Sequence, residues 1–388
     1  MIRFLHTADW QIGRSFASVP GDAAALLRRA RIEAVDRLAE AARSHDCPFV
    51  LVAGDVFDAE GLAEVTLRAP LERMARAKDL TWYLLPGNHD PDRPEGVWDR
   101  LSRIGLPDNV KAMRAAEPVA MGEDAVLLPA PLAARDHGDD PTAWMDGAAT
   151  TEGLVRVGLA HGSIRDFGGG EAAVLEREAL APDRAAEAGL SYLALGDWHR
   201  VQQITPNTWY AGTPEPDRFY GAGEPDGGEA LVVTIAGPSA PAEVQRLRTA
   251  TYTWASLDET IGEASDIAVI ANRIAALADD PARLYLRLTL RGRVALDLRE
   301  QADVELNRRL QGALFALDLD DSDLLPEPTA DDLDAIDRPG GVLRLAAERL
   351  QAMAEAASAN PAGADPAAAA TARRALARLY IEARAAQA

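Results

Sequence analysis

Five short polar motifs lie between residues 9 and 199, and all but one follow an apolar run that is typical of a buried strand. In chain order they are Asp9-Trp10-Gln11, Gly54-Asp55-Val56-Phe57-Asp58, Gly87-Asn88-His89-Asp90, His161-Gly162 and Gly196-Asp197-Trp198-His199. In an open α/β sheet, ligands bind at the carboxyl ends of the strands. The motifs therefore predict that carboxylates, amides and imidazoles from five distant places meet at one edge of a sheet.

Strands and helices alternate along the first part of the chain, which favours an α/β fold with helices on the faces of a sheet. Strands are expected at Ile2–His6, Phe49–Ala53, Trp82–Leu85, Val126–Leu128, Val155–Ala160 and Tyr192–Leu195, and helices at Ala23–Ser44 and Leu62–Ala77. Antiparallel strands are expected next, at Val201–Ile204, Thr208–Tyr210, Leu231–Ile235 and Val244–Leu247, with a surface loop at Pro214–Gly228. These elements predict an α/β sandwich over residues 1–248.

The rest of the chain predicts two further parts. Residues 249–325 contain an expected helix at Asp266–Ala278, an alternating strand at Arg283–Arg291 and a helix at Ala302–Ala313, which is enough for a small α+β domain. Residues 326–388 are rich in Ala, Leu and Arg, and helices are expected at Val342–Ala357 and Pro366–Ala385. Proline at the first helical position supports the second of these helices.

The chemistry of the motifs points to a pair of divalent cations. A carboxylate shared by two cations holds them about 3.5–4 Å apart, the separation that clamps the attacking and leaving oxygens of an in-line displacement. Phosphorus chemistry needs such a pair because the charge on the non-bridging oxygens must be neutralised before a hydroxide can approach. The cations also lower the pKa of a bound water, which creates the nucleophile near neutral pH.

The five motifs closely resemble those of the calcineurin-like metallophosphoesterases, whose pattern is DxH…GDxxD…GNH[DE]…H…GHxH. The resemblance implies a four-layer α/β/β/α sandwich. It implies a first-metal position formed by Asp9, Gln11, Asp55 and His199, and a second-metal position formed by Asp55, Asn88, His161 and Asp197. His89 would be the catalytic imidazole that protonates the leaving oxygen, and Asp58 would orient His89 and keep it charged.

Two residues depart from the family pattern. Gln11 replaces the histidine of the first motif, and Asp197 replaces the first histidine of the last motif. Both can bind a metal through oxygen, and oxygen ligands favour Mn²⁺ or Mg²⁺ over Zn²⁺. We therefore expect two divalent cations, with Mn²⁺ preferred, and we expect the first-metal position to be the weaker one.

Within that superfamily the chain is most similar to the SbcD-type DNA repair exonucleases. The opening segment Arg3–Trp10 and the element Tyr210-Ala211-Gly212-Thr213-Pro214-Glu215, which fits Y-x-G-[ST]-P-E, carry this similarity. It implies a DNA exonuclease and endonuclease whose phosphoesterase domain is followed by a capping domain. It also implies an SMC-like ABC ATPase (SbcC-type) that binds helices after the cap, and a homodimer formed through the phosphoesterase domain.

The acidic composition leaves two other functions open. The formal net charge is -21, from 61 acidic and 40 basic residues, whereas proteins that bind nucleic acid alone normally show a basic face. One alternative is a phosphodiesterase or phosphatase that acts on a small molecule. The other is a non-catalytic regulatory subunit of an SMC-like ATPase, for which Gln11 and Asp197 are the only support.

Several features predict a cytoplasmic protein without a membrane segment. Cys47 is the only cysteine, and no window approaches the roughly 20 apolar residues of a membrane span. A strand is already expected from Ile2, so we expect no targeting signal. His6, on that strand, is expected to be a hydrogen-bonded core residue.

Overall fold

Two six-stranded sheets and one three-stranded sheet form the framework of the computed structural model. It describes residues 1–19, 21–135, 138–165, 180–221, 227–326, 341–359 and 366–385. The chain divides into two compact units. The first comprises Met1–Arg218 and Asp226–Tyr252, and the second comprises Phe219–Pro225 and Thr253–Ala388. The division into three domains stays a prediction.

The strands of the first unit form both six-stranded sheets. They are β1 (Ile2–Thr7), β2 (Phe49–Val52), β3 (Thr81–Leu84), β4 (Val110–Ala112), β5 (Val119–Met121), β6 (Ala125–Ala130), β7 (Val155–His161), β8 (Tyr192–Gly196), β9 (Gln202–Thr205), β10 (Thr208–Tyr210), β11 (Glu229–Ile235) and β12 (Ala242–Arg248). The first sheet has the order β12-β11-β1-β2-β3-β4, and the second has the order β5-β6-β7-β8-β10-β9. Strands β1 to β4 are mutually parallel, as are β6, β7, β8 and β10.

Helices cover the outer faces of the two sheets. They are α1 (Ala23–Ser44), α2 (Glu64–Arg76), α3 (Val97–Ile104), the 3₁₀ helix Ala143–Gly147 and the short α4 (Arg184–Glu187). Side chains alternate across each strand, so Phe4 of β1 packs between the two sheets while Leu5 packs under the helices with Val35 and Trp82. Met145 and Ala185 cover the outer face of the second sheet. The four-layer α/β/β/α sandwich is thus confirmed.

The expectation for the later strands of this unit is partly wrong. All four strands exist, but β10 pairs in parallel with β8 as well as antiparallel with β9, while β11 and β12 join the first sheet. The prediction of a surface loop at Pro214–Gly228 is wrong for its first part, because Glu215 and Asp217 are buried, and residues 222–226 lie outside the described residues. Both carboxylates lie against arginines, and the pairing compensates for the cost of burying their charge.

The second unit contains a parallel sheet of order β13-β14-β15. Its elements are β13 (Thr253–Thr260), α5 (Ala264–Ala275), the 3₁₀ helix Pro281–Arg283, β14 (Leu284–Val294), α6 (Leu296–Asp303), the π-helical turn Val304–Arg308, α7 (Arg309–Ala313), β15 (Ala316–Pro326), α8 (Val342–Ala359) and α9 (Pro366–Ala385). The expected helices and strand of this region and the two carboxy-terminal helices are therefore present, with shifted bounds. Leu376 and Tyr380 of α9 pack against Leu296 of α6, and Ala347 of α8 joins the same cluster.

Among the described residues, none of the helices combines the length and the hydropathy that a membrane span requires.

Candidate metal centre

The predicted site residues lie just beyond the carboxyl ends of five parallel strands. Asp9 and Gln11 follow β1, Asp55 and Asp58 follow β2, Asn88 and His89 follow β3, His161 ends β7, and Asp197 and His199 follow β8. The register of the sheets sets their level, since Thr7 lies opposite Val52 and Val52 lies opposite Leu84. In the second sheet His161 lies opposite Gly196. The convergence predicted from the motifs is therefore observed.

Asp9, Asp55 and His161 form the centre of the cluster. All three are buried, and one potential ligand atom from each lies within 4.8 Å of the other two. The His161 Nε2 is 3.5 Å from Asp55 Oδ1, and the His199 Nε2 is 3.8 Å from Asp9 Oδ1. Burial raises the pKa of Asp9 to about 6, because the carboxylate loses contact with water, and this outweighs the opposing effect of His199 and His161.

The backbone around the cluster is held in unusual conformations. Asp9, Gln11 and Asp55 have φ values of 52°, 48° and 53°, a left-handed region that non-glycine residues rarely adopt. Gly54 has φ 84°, and a Cβ there would collide with the ring of His161. The sharp turn between β2 and Asp55 therefore requires glycine, since it brings the main chain against an imidazole.

Asn88 and His161 offer free acceptor atoms to a cation. The Nδ2 of Asn88 donates to Asp197 Oδ1 over 3.5 Å, which turns its Oδ1 away from that carboxylate. The Nδ1 of His161 donates to the carbonyl oxygen of Ala53 over 2.8 Å, so in the neutral ring, the form that binds a cation, Nε2 carries the lone pair. Both Asn88 Oδ1 and His161 Nε2 are buried without a hydrogen-bond partner among the described residues.

The charge around His161 also suits a cation. Burial alone would lower the pKa of His161, but the carboxylates of Asp55, Asp9 and Asp197 raise it to about 9. Three carboxylates thus face one imidazole and require positive charge. A divalent cation would supply it, and the two orphaned acceptors are the ligands it needs. The residues at the second-metal position fit a cation.

Asp197 occupies its position through main-chain strain and hydrogen bonds. Its φ is 109°, and its amide nitrogen donates to both carboxylate oxygens of Asp9 over 3.2 Å. The hydroxyl of Ser163 donates to Asp197 Oδ2 over 2.6 Å, so Oδ1 is the oxygen on the side of His161, 4.0 Å from its Nε2. Asp197 therefore brings a second carboxylate to the second-metal position.

His199 is oriented by Asp217, a residue outside the five motifs. The His199 Nδ1 donates to Asp217 Oδ2 over 2.8 Å, which leaves Nε2 towards Asp9. Such a carboxylate partner fixes the tautomer of a metal-binding histidine and increases its basicity. Burial alone would raise the pKa of Asp217, but His199, Arg31 and Arg14 hold it far below its usual value.

Arg31 joins this carboxylate to the first motif from within the core. It is almost fully buried on α1, and its guanidinium donates to the carbonyl oxygen of Trp10 over 2.6 Å and to that of Glu215 over 3.1 Å. It also lies 3.6 Å from Asp217 Oδ2. Neither Arg31 nor Asp217 was identified from the sequence. Arg31 was only a polar residue within a predicted helix, and Asp217 was only a polar residue within a predicted loop.

Gln11 presents its amide nitrogen, not its oxygen, to the carboxylate of Asp55. The Nε2 of Gln11 donates to Asp55 Oδ2 over 2.7 Å, and its Oε1 accepts from Arg14 over 3.2 Å. The Arg14 guanidinium also lies 3.2 Å from Asp217 Oδ2 and 3.5 Å from Asp58 Oδ1.

His89 contacts Asp58 as predicted, but it contacts the main chain of Asp58 and not the carboxylate. The Nδ1 of His89 donates to the main-chain carbonyl oxygen of Asp58 over 3.0 Å, whereas the carboxylate of Asp58 faces Arg14. The expectation that the Asp58 carboxylate orients His89 is corrected in this respect. The carbonyl fixes the tautomer and leaves Nε2 free to exchange a proton with a substrate. The amide nitrogen of His89 donates to Asp55 Oδ1 over 2.9 Å.

Asp90 fastens the third motif to the second. Its carboxylate is buried and accepts from the amide nitrogens of Phe57, over 3.0 Å, and Gly87, over 2.7 Å. Burial, followed by the nearby charge of Asp55, raises the pKa of Asp90 well above its usual value. No role for Asp90 was predicted from the sequence, although its place in the motif next to His89 was the available signal.

Comparison with known proteins agrees with the geometry. Residues 2–219, more than half of the chain, match the family model for calcineurin-like phosphoesterases. The chain is 28% identical over 291 residues to the SbcD subunit of the SbcCD nuclease of Rhodobacter capsulatus, covering 63% of this chain and 69% of that protein. It is 25% identical over 278 residues to the uncharacterized metallophosphoesterase YhaO of Bacillus subtilis, covering 67% of this chain and 64% of that protein.

The solved structure of the protein TT1561 from Thermus thermophilus aligns over 64% of this chain and 99% of its own length, with 10% identity and a TM-score of 0.38.

Proposed function

Because this chain belongs to the calcineurin-like phosphoesterase family, and is thus a metal-dependent hydrolase, we propose that it is a Mn²⁺-dependent nuclease that cleaves DNA. It would hydrolyse phosphodiester bonds both from DNA ends and within hairpins, and it would serve DNA repair in the cytoplasm together with an SMC-like ATPase. The observation that carries the proposal is the buried cluster of Asp9, Asp55 and His161, whose acceptor atoms lie within 4.8 Å of one another. The 28% identity to a nuclease subunit supports DNA as the substrate.

Two cations would be held by this chain's carboxylates, amide oxygen and imidazoles. Asp9, Asp55 and His199 would bind at the first-metal position, and Asp55, Asn88, His161 and Asp197 at the second. Bound there, the ions would activate a water and neutralise the charge on the non-bridging oxygens of a phosphodiester. Mn²⁺ is the proposed ion, with Mg²⁺ as a weaker substitute, because most of the donors are oxygens.

His89 would supply the proton for the leaving oxygen. In its imidazolium form, Nδ1–H stays on the carbonyl oxygen of Asp58 and Nε2–H points away from that bond. As the bond from phosphorus to the leaving oxygen breaks, Nε2 would transfer its proton to that oxygen, and the imidazole would become neutral. The carbonyl of Asp58 holds the ring throughout, so only one proton moves.

An exposed apolar face on α8 supports the proposal that the chain binds a partner protein. The side chains of Val342, Leu345 and Met353 are 81%, 56% and 48% exposed, while Ala347 of the same helix faces α9 and α6. An apolar helical face of this kind is typical of a site that takes a partner helix. We propose that this face binds the coiled coil of an SMC-like ATPase.

The test compares two substrates and two histidines. A fluorescent DNA hairpin and bis-p-nitrophenyl phosphate would be incubated with the purified chain and Mn²⁺. We expect cleavage of both, and a loss of about 100-fold or more in His89→Gln, because general acid catalysis contributes on that scale. His45→Gln is the matched control, since His45 caps the end of α1 through Ala41. An intact hairpin beside a cleaved small ester would contradict the proposed substrate.

A small phosphoester is the second candidate, and the net charge of -21 is the observation that favours it. A chain with this charge repels a polyanion, whereas a small monoanionic ester is little affected. Cleavage of the small ester without any cleavage of DNA, with or without an ATPase subunit, would support this candidate.

A further inference from the structure

Gln11 lies between a group that only accepts hydrogen bonds and a group that only donates them. On one side, the carboxylate oxygen Oδ2 of Asp55 lies 2.7 Å from Gln11 Nε2. On the other side, the guanidinium of Arg14 lies 3.2 Å from Gln11 Oε1. An ionised carboxylate has no proton to donate, and a guanidinium has no acceptor. Only one orientation of the amide therefore satisfies both neighbours.

Turning the amide would break both bonds and create a conflict. With Oε1 towards the first-metal position, Nε2 would face the N–H groups of Arg14, and two donors would oppose each other. Arg14 cannot easily move aside, because its side chain is only 27% exposed and pairs with Asp217 and Asp58. The buried position of Gln11 makes an unsatisfied amide costly in free energy of folding.

The second-metal position has the opposite character. Asn88 Oδ1 and His161 Nε2 lack hydrogen-bond partners among the described residues, and their other polar atoms are fixed by Asp197 and Ala53. The acceptors there are thus oriented in advance. At the first-metal position the corresponding side chain is already committed to Asp55 and Arg14, and a guanidinium charge stands beside it.

We propose that Gln11 is not a metal ligand but a hydrogen-bond donor that holds Asp55, and that Arg14 fixes it in this role. The two cation positions are therefore unequal. The second-metal position binds Mn²⁺ tightly, and the first-metal position, which lacks a ligand and lies near a guanidinium, binds it only at higher concentration. This inference rests on the proposed metal centre. It implies that the concentration of free Mn²⁺ determines whether the first-metal position is occupied.

The test measures the binding of Mn²⁺ alone to the full chain, without any nucleic acid. After removal of bound metal, a titration followed by calorimetry and by electron paramagnetic resonance of free Mn²⁺ gives the affinity of each step. In the wild type we expect two steps that differ by about tenfold or more. Gln11→His, which adds an imidazole, and Arg14→Met, which frees the amide to turn, should each tighten the weaker step by about tenfold. Arg43→Met is the matched control, since Arg43 forms an exposed ion pair with Asp79.

Equal affinity of both steps in the wild type would overturn the inference, as would a weaker step that neither variant tightens. Circular dichroism identifies a variant that fails to fold, and the other variant then carries the test. Equal steps in an active nuclease would reject the inference alone. Unequal steps in a chain that leaves DNA intact would reject the proposed substrate alone.

Discussion

Asp217 illustrates how a single residue outside the motifs can control the site. Its carboxylate accepts the Nδ1 proton of His199 and is held ionised by Arg14 and Arg31. We expect Asp217→Asn to weaken Mn²⁺ binding by about 10- to 100-fold, because the amide neither raises the basicity of the ring nor fixes its tautomer. Equilibrium dialysis with Mn²⁺ measures this. Asp79→Asn is the control, and an unchanged affinity in Asp217→Asn would remove the role given to this carboxylate.

His6 predicts a pH dependence of stability. It is buried as expected. Its Nε2 donates to the carbonyl oxygen of Leu195 over 3.2 Å, and its Nδ1 lies 3.0 Å from the hydroxyl of Tyr192. Burial lowers the pKa of His6 from 6.5 to about 3. Between about pH 3 and pH 6.5, His6 is therefore neutral in the folded state but protonated in the unfolded chain. Its contribution to stability is complete above pH 6.5 and is lost as the pH falls from 6.5 towards 3.

Urea unfolding in the presence of a chelator tests this. Between about pH 6.5 and 5 the free energy of unfolding of the wild type should fall by about 2 kcal/mol more than that of His6→Gln, which cannot titrate. His45→Gln should behave like the wild type. Identical pH profiles of the wild type and His6→Gln would show that the burial of His6 is not linked to proton binding.

Among the residues of the site, those that sequence reasoning found share one signal. Asp9, Asp55, Asn88 and His161 each follow a hydrophobic strand, and parallel strands bring their carboxyl ends together. Asp217 and Arg31 carry no such signal, because the pairs that they form join residues far apart in sequence. The orientation of the Gln11 amide was also hidden, since it depends on Arg14 and Asp55 together.

At the scale of elements, the strongly apolar strands were predictable and the acid-rich β15 was not. β15 carries Asp318, Asp320 and Asp323, a composition that is typical of a solvated loop. It forms a strand because its leucines, Leu317, Leu319 and Leu324, pack in the core of the second unit. Arg287 of β14 also pairs with Asp318 across the ladder, over 2.9 Å. Such cross-strand pairs of opposite charge are worth about 0.2–1 kcal/mol each, and a single sequence does not reveal which strand supplies the partner.

The helix α8 is the element on which the proposed partner depends. We expect Leu345→Glu to reduce capture of an SMC-like ATPase subunit by about tenfold or more, because a charge would enter an apolar contact. The fold should persist, since the side chain is 56% exposed. Co-purification of the two subunits measures the effect. Val65→Glu, at a valine that is 74% exposed on α2, is the matched control. Full capture by Leu345→Glu would exclude this face of α8 as the binding site.

For the whole molecule, the net charge predicts an unusual response to salt. Proteins that bind DNA through basic surfaces lose affinity as salt rises, because neutralised phosphates release counter-ions. A chain with a net charge of -21 instead repels DNA over long distances, and salt screens that repulsion with a Debye length of about 8 Å at physiological ionic strength.

For the isolated chain in saturating Mn²⁺, we expect the KM for a DNA hairpin to fall or stay level as NaCl rises from about 20 to 150 mM. Bis-p-nitrophenyl phosphate, with a single charge, should show little change and serves as the control. If the KM for DNA instead rose about tenfold over this range, a basic surface would have to bind the phosphates. The chain itself would then bind DNA, and neither the cations nor the partner subunit would be needed to supply the positive charge that attracts the phosphates.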